Sequence, residues 1–197
     1  MSAELLDQPR GIIVDWEHHW AVYDEKTYQS ALGYILPGSV VIDIGCGDMR
    51  LARRMAKIAR KVYAVEQNPD VFMVGLRSSG PLPDNLIPLC ADACIMDFPS
   101  DVDTAVLLMR HCTHFRLFAD KLRSIGCIHL ITNARWGMDI ECVSLQAQGL
   151  SFEQVELGWY ACCCGSAGFK SGPADKVSLE LDAITFEVFN CPDCLKQ

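Results

Sequence analysis

Short apolar runs alternate with amphipathic stretches along most of this chain. Val40 to Ile44 is rich in β-branched residues and apolar apart from Asp43, which predicts a strand buried on both faces. Gly45, Cys46 and Gly47 break it with a turn that larger side chains would obstruct. Behind Asp48, a candidate N-cap, come Leu51, Ala52, Met55, Ile58 and Ala59 at helical spacing, with Arg and Lys on the other face. Lys61 to Val65 predicts a second buried strand, and it ends on an acid, Glu66. Strand, glycine turn, helix and strand together make a βαβ unit.

The remaining pattern extends that unit. Trp16 to Leu36 predicts one or two helices with an apolar stripe, stopped by Pro37-Gly38. Asn68 and Pro69 open a helix to about Arg77, and Gly80, Pro81 and Pro83 mark a loop. Leu86 to Cys90, Thr104 to Met109 and Cys127 to Thr132 predict further strands, with a helix at Phe115 to Ser124. A helix is expected from about Met138 to Gln148, then a sixth strand over Gln154 to Cys162. Ile184 to Asn190 predicts the last strand, behind a loop from about Gly165 to Leu181. Strands alternating with helices imply an α/β fold with a doubly wound, mostly parallel sheet. Residues 39–197 would form that single domain, and residues 1–38 a helical extension.

The βαβ unit carries specific chemistry. Its glycine turn lies outside the carboxyl end of a central strand, where backbone N–H groups face a crevice. An acid about 20 residues later, at the tip of the next strand, is placed to accept from ribose hydroxyls. A dinucleotide fingerprint would put a third glycine where Arg50 stands, and Asp43 would repel a pyrophosphate. A cofactor with a cationic centre and an amino group would instead welcome that carboxylate.

V-V-I-D-I-G-C-G resembles motif I of the class I S-adenosylmethionine-dependent methyltransferases, and Y-A-V-E-Q-N-P resembles their ribose-binding segment. The resemblance implies a Rossmann-like sheet of seven strands whose last strand is antiparallel, inserted between the fifth and the sixth. It implies S-adenosylmethionine as cofactor, with Asp43, Gly45, Cys46 and Gly47 at the methionine end and Glu66 with Gln67 at the ribose. It further implies Asp92 and Ala93 beside the adenine, and backbone contacts from Arg110. Met49 stands where the family often has a third small residue, which implies a less tightly approached loop. An N-terminal segment often covers the cofactor in such proteins, which makes Trp20, Tyr23 and Tyr28 candidate substrate-side residues; packing on the sheet is the competing role.

The fourth strand ends in R-H-C-T-H-F. His111 and His114 are the general-base candidates, because imidazole titrates near neutrality. A capping or packing role competes for each. The Asp/Asn-Pro-Pro-aromatic tetrad of amino-methylating nucleic-acid enzymes is absent here. A net charge of −8 likewise gives no global attraction for nucleic acid. A small-molecule acceptor is therefore expected, with a protein side chain, RNA or a thiol-bound metalloid as alternatives. A non-catalytic cofactor- or metal-binding module is the rival from another class.

With no apolar run of membrane-spanning length and no signal-peptide pattern, a cytoplasmic protein is expected. Its 11 cysteines then read as buried thiols, metal ligands or reactive groups rather than disulfides. If the last strand runs antiparallel to the sixth, Cys162 to Cys164 would lie roughly 20 Å from Cys191 and Cys194. That arrangement leaves Cys127, His129, Cys191 and Cys194 as a candidate zinc site, with a tail of free thiols as the alternative.

Overall fold

β1 (Val40–Ile44) is buried along its whole length and pairs on both sides. Its side chains alternate between two apolar layers, as the period of a strand demands. Val40, Ile42 and Ile44 pack with Phe118, Ala119 and Leu122 on one side, and Val41 packs with Tyr28, Ala52 and Met55 on the other. The computed structural model describes residues 22–77, 80–110, 112–135, 139–177, 181 and 184–195. Trp20 and His111 lie outside the described residues.

Around β1 stand α1 (Glu25–Leu32), α2 (Arg50–Met55), β2 (Lys61–Glu66), α3 (Pro69–Arg77), β3 (Leu86–Cys90), β4 (Thr104–Leu107), α4 (Phe115–Ser124) and β5 (His129–Thr132). The strand order is β3-β2-β1-β4-β5-β6, where β6 is Glu141–Ser144. The first five strands are parallel and β6 is antiparallel to β5. Sequence order turns outward in opposite directions from β1 and β4, so a switch point opens between their carboxyl ends. Asp24 caps α1, its carboxylate accepting from the Thr27 N–H at 2.7 Å. Arg54 of α2 reaches Glu25 through two hydrogen bonds of 2.7 and 2.9 Å and lies over the Tyr28 ring, which docks α1 beside the switch point.

Four expectations are corrected. The expected Met138 to Gln148 helix is replaced by β6, because the segment alternates: Val143 and Leu145 are buried while Cys142 and Ser144 are exposed. This period-two pattern suits the open edge of β5, which a short helix could not hydrogen-bond. The expected sixth and last strands both leave this sheet while β6 joins it, so it has six strands and not seven. The last strand, β9 (Thr185–Val188), does not enter that sheet. It joins β7 (Gly158–Cys162) and β8 (Ala167–Lys170) in a second sheet of order β8-β7-β9, and it runs parallel to β7. β6 already occupies the edge that β9 was expected to share. β8 lies within the stretch expected to be a loop.

Arg135 ties the two sheets together. Its side chain is 1 % exposed, and its guanidinium donates to Glu141 of β6 at 2.6 Å and to both carboxylate oxygens of Glu187 of β9 at 2.7 Å. No helix among the described residues is long and apolar enough to cross a membrane.

Candidate functional site

A cavity of about 1110 Å³ opens beyond the carboxyl ends of β1, β2, β3 and β4. Its floor is the glycine turn after β1. The N–H groups of Gly45 and Cys46 both donate to the Val65 carbonyl at 2.9 Å, folding the turn over the end of β2. Gly45 has φ +72, and a Cβ there would lie 3.1 Å from Met109 Cε, so any larger residue would strain the backbone and push on Met109. The Gly47 N–H donates to Glu66 Oε2 at 3.1 Å, and the Asn68 N–H donates to Glu66 Oε1 at 2.8 Å. Glu66 is thereby held at the tip of β2, each oxygen keeping a lone pair for a ligand.

Asp43 is the electrostatic centre of this floor. It is buried on the cavity wall, and its Oδ2 has no hydrogen-bond partner. Burial, and then the Glu66 charge beside it, push its carboxyl up to about 7. Cys46 also lines the cavity; burial first, then Asp43 and Glu66, push its thiol far above the ordinary range, so it stays a neutral thiol.

The adenine-side candidates follow β3. Asp92 and Ala93 line the cavity, and Asp92 Oδ1 accepts from the Cys94 N–H at 2.8 Å, an Asx turn that fixes the carboxylate. Lys121 of α4 braces this turn from outside. Its ammonium donates to the carbonyls of Ala93, Cys94 and Met96 at 2.6, 3.0 and 2.7 Å and sits 4.5 Å from the centre of the Phe98 ring. Sequence reasoning missed Lys121, because a lysine on an amphipathic helix reads as a solvated charge. Asp48 and Arg50, at the rim, form a side-chain ion pair, with Arg50 Nε 2.8 Å from Asp48 Oδ2. Asp48 is not the N-cap of α2; Met49 holds that position at φ +61.

Gln67 and Arg110 also line the cavity, as do His114, Tyr23 and Tyr28. Tyr28 is buried in the α1–α2 layer, and its hydroxyl accepts from the Tyr23 N–H at 3.2 Å. The Tyr23 hydroxyl in turn accepts from the Arg110 N–H at 3.4 Å. The tip of β4 and the chain before α1 are thus joined across the mouth. Gly47 contributes through its bond to Glu66 rather than as cavity wall. Met49, where a small residue was expected, is fully buried; its side chain packs in the core layer, close against Gly75 of α3, and does not line the cavity.

The cysteine grouping differs from the expected one. Cys191 and Cys194 lie with Cys162 and Cys164, all four thiol sulfurs falling within 4.8 Å of one another. Cys127 and His129 are not part of this group; the buried Cys127 thiol donates to the His129 carbonyl at 3.5 Å instead. The reason is the direction of β9: running parallel to β7, it delivers Cys191 to the end where Cys162 already stands.

No protein-family profile and no curated protein matches the chain. Solved structures do. Precorrin-6y C5,15-methyltransferase from Geobacter metallireducens matches with a TM-score of 0.50 at 16% identity, over 58% of this chain and 64% of that one. The 23S rRNA methyltransferase ErmE matches at 0.49 and 21% identity, over 56% and 46% of the two chains. Precorrin 8W decarboxylase from Methanobacterium thermoautotrophicum matches at 0.48 and 22% identity, over 57% and 63%. The matches span less than two thirds of each of these structures. With the sheet order, the glycine turn and the placement of Glu66, the likeness to the Geobacter protein is one of architecture: the chain has the Rossmann-like fold of the class I S-adenosylmethionine-dependent methyltransferases.

Proposed function

We propose that the chain is an S-adenosylmethionine-dependent methyltransferase acting on a small molecule. The observation that carries this reading is Asp43, a buried carboxylate on the cavity wall with an oxygen that lacks any partner. A buried charge without a partner is costly, and a cationic ligand with an amino group removes that cost. Gly45 and Cys46 line the cavity, so such a ligand can lie against the turn. When bound, S-adenosylmethionine supplies a methyl group on a positively charged sulfur, open to in-line displacement by a nucleophile.

Each side chain then has a defined part. Asp43 accepts from the amino group. Glu66, oriented by the Gly47 and Asn68 N–H groups, accepts from the ribose hydroxyls through its remaining lone pairs. Asp92 accepts from the exocyclic amine while Lys121 keeps its turn in place. His114 stands on the cavity wall as the group to take a proton from the acceptor. Positioning contributes more than the base, since methyl displacement first needs the reacting atoms in line.

The cavity exceeds the range of about 300–1,000 Å³ of a single-ligand pocket, which leaves room for a second small molecule. Tyr23, Leu108, Met109 and Phe118 offer that molecule an aromatic and apolar wall. The net charge of −8 argues against a polyphosphate acceptor.

Calorimetry on the full chain with S-adenosylmethionine and with S-adenosylhomocysteine tests the reading. One site per chain is expected, weakened about tenfold or more in Asp43→Asn and in Glu66→Ala, as the loss of charge-assisted hydrogen bonds predicts. No uptake of either ligand by the unaltered protein overturns the assignment. Release of S-adenosylhomocysteine from pooled small-molecule acceptors supports turnover. Release with protein or RNA pools alone would move the acceptor class, and binding without product in any pool would make the chain a binding module.

A further inference from the structure

Four thiols meet where the second sheet ends. β7 runs into Cys162, Cys163 and Cys164, and β9 runs on towards Cys191 and Cys194. Because Cys162 is in register with Val188 of the parallel strand β9, both cysteine runs emerge at the same end. The sulfurs of Cys162 and Cys194 are 3.5 Å apart, those of Cys164 and Cys191 3.6 Å, and those of Cys191 and Cys194 3.8 Å. A metal bound at Zn–S distances of about 2.3 Å spaces four tetrahedral sulfurs about 3.8 Å apart. A disulfide would bring a pair to about 2.05 Å. Three of the six sulfur–sulfur distances lie at or just below that tetrahedral spacing and all six lie within 4.8 Å, so a metal could close the group with small adjustments.

The surroundings need such a clamp. The small core around these thiols has Val155 and Val188 as its buried non-cysteine members, with Phe152, Tyr160 and Phe186 packed against it. A sheet of three short strands has too little apolar area there to order its ends by burial alone. Cys162, Cys164 and Cys191 are buried and Cys194 half-buried, so water has little access to the group.

We propose that Cys162, Cys164, Cys191 and Cys194 form a structural zinc site that fastens the ends of β7 and β9 together. On binding, four S–H bonds break, four S–Zn bonds form and the protons pass to solvent; nothing is oxidised or reduced. Four protein ligands close a tetrahedral shell and leave no position for a reacting water, so the metal is a brace rather than a catalyst. Cys163 itself is not a ligand; its thiol donates to the Phe189 carbonyl at 3.2 Å. The brace also reaches the cavity. Gly165, at φ +100, closes the turn after Cys164 so tightly on α4 that a Cβ there would lie 2.9 Å from Phe115 Cβ, and Phe115 follows His114. This inference does not depend on the methyltransferase reading.

Metal analysis of the full chain, purified without chelator, tests it. One zinc per chain is expected, lost in Cys164→Ser and in Cys191→Ser and kept in Cys163→Ser and Cys127→Ser. Should the ligand variants fail to fold, the unaltered protein still decides the matter: exchange with Co²⁺ should give the intense visible bands of tetrahedral thiolate-bound cobalt. Zinc well below one per chain without a cobalt spectrum overturns the proposal. So does iron in the same place, a disulfide within the group found by unreduced peptide mapping, or full zinc in both ligand variants.

Discussion

Asp43 carries a strong electrostatic tension in the cavity floor. Its carboxyl ionises near 3.8 in an unfolded chain but only at about 7 when folded, because burial and then Glu66 disfavour its charge. Between those values the folded chain holds the extra proton, so stability falls as pH rises from about 4 to about 7. The slope from this group approaches 1.4 kcal/mol per pH unit at most. Urea unfolding of ligand-free protein at pH 5 and pH 7 should therefore show a larger loss than the same pair of measurements on Asp43→Asn. Equal losses in the two proteins would mean that Asp43 is not strained in this way. A bound cation should shrink the loss, since it stabilises the ionised carboxylate that burial penalises.

Among the elements, the contact between β6 and β9 depends on one buried cation. Arg135 is planar and forked, and it engages Glu141 and Glu187 from two directions. Removing it leaves two carboxylates facing each other across the joint. Arg135→Ala should cost about 3 kcal/mol, the lower end of the range for breaking a buried pair, because Glu187 remains 44% exposed. Arg135→Lys should recover less than half of that loss, since one ammonium cannot bond both carboxylates in the same geometry. Denaturant melts of the two variants against the parent check both statements, and a loss below about 0.5 kcal/mol in Arg135→Ala, the scale of an ordinary surface change, would refute the first. Lys121 has a similar part for the turn carrying Asp92, where three carbonyls converge on one ammonium.

For the whole molecule, the two sheets differ in what holds them. The six-stranded sheet has helices packed into an extensive apolar core, whereas the three-stranded sheet relies on a small cluster rich in cysteine. Stability should therefore divide along this boundary once the proposed zinc is removed. Hydrogen exchange after chelation is expected to quicken in residues 158–162 and 185–188 while residues 40–44 and 61–66 stay protected. Uniform quickening across both sheets would show that the molecule opens as one unit. Faster exchange around His114 is expected as well, because the turn at Gly165 rests on Phe115.

Much of the first sheet and of the cavity floor was legible in the sequence. Strand, turn, helix and acid lie within one contiguous stretch from Val40 to Glu66, so local spacing sets their relation. β1, β2, β3 and α4 stand at or within a residue of the expected bounds, and Asp43, Gly45, Glu66 and Asp92 meet at one crevice for that reason. Lys121 and Arg135 were not legible, because their partners are carbonyls and carboxylates brought near by folding alone. Nor was the cysteine grouping. Whether Cys191 meets Cys162 or lies far from it turns on the direction of one strand, and strand direction follows from which sheet edge is open. β6 closed the edge of β5, β9 paired with β7 instead, and only that long-range choice set four thiols side by side. The sequence by itself determined the crevice at the strand tips and the residues that line its floor, a matter of neighbours along the chain; the tertiary structure decided the second sheet and its thiol cluster, a matter of competition between distant segments for the same hydrogen bonds.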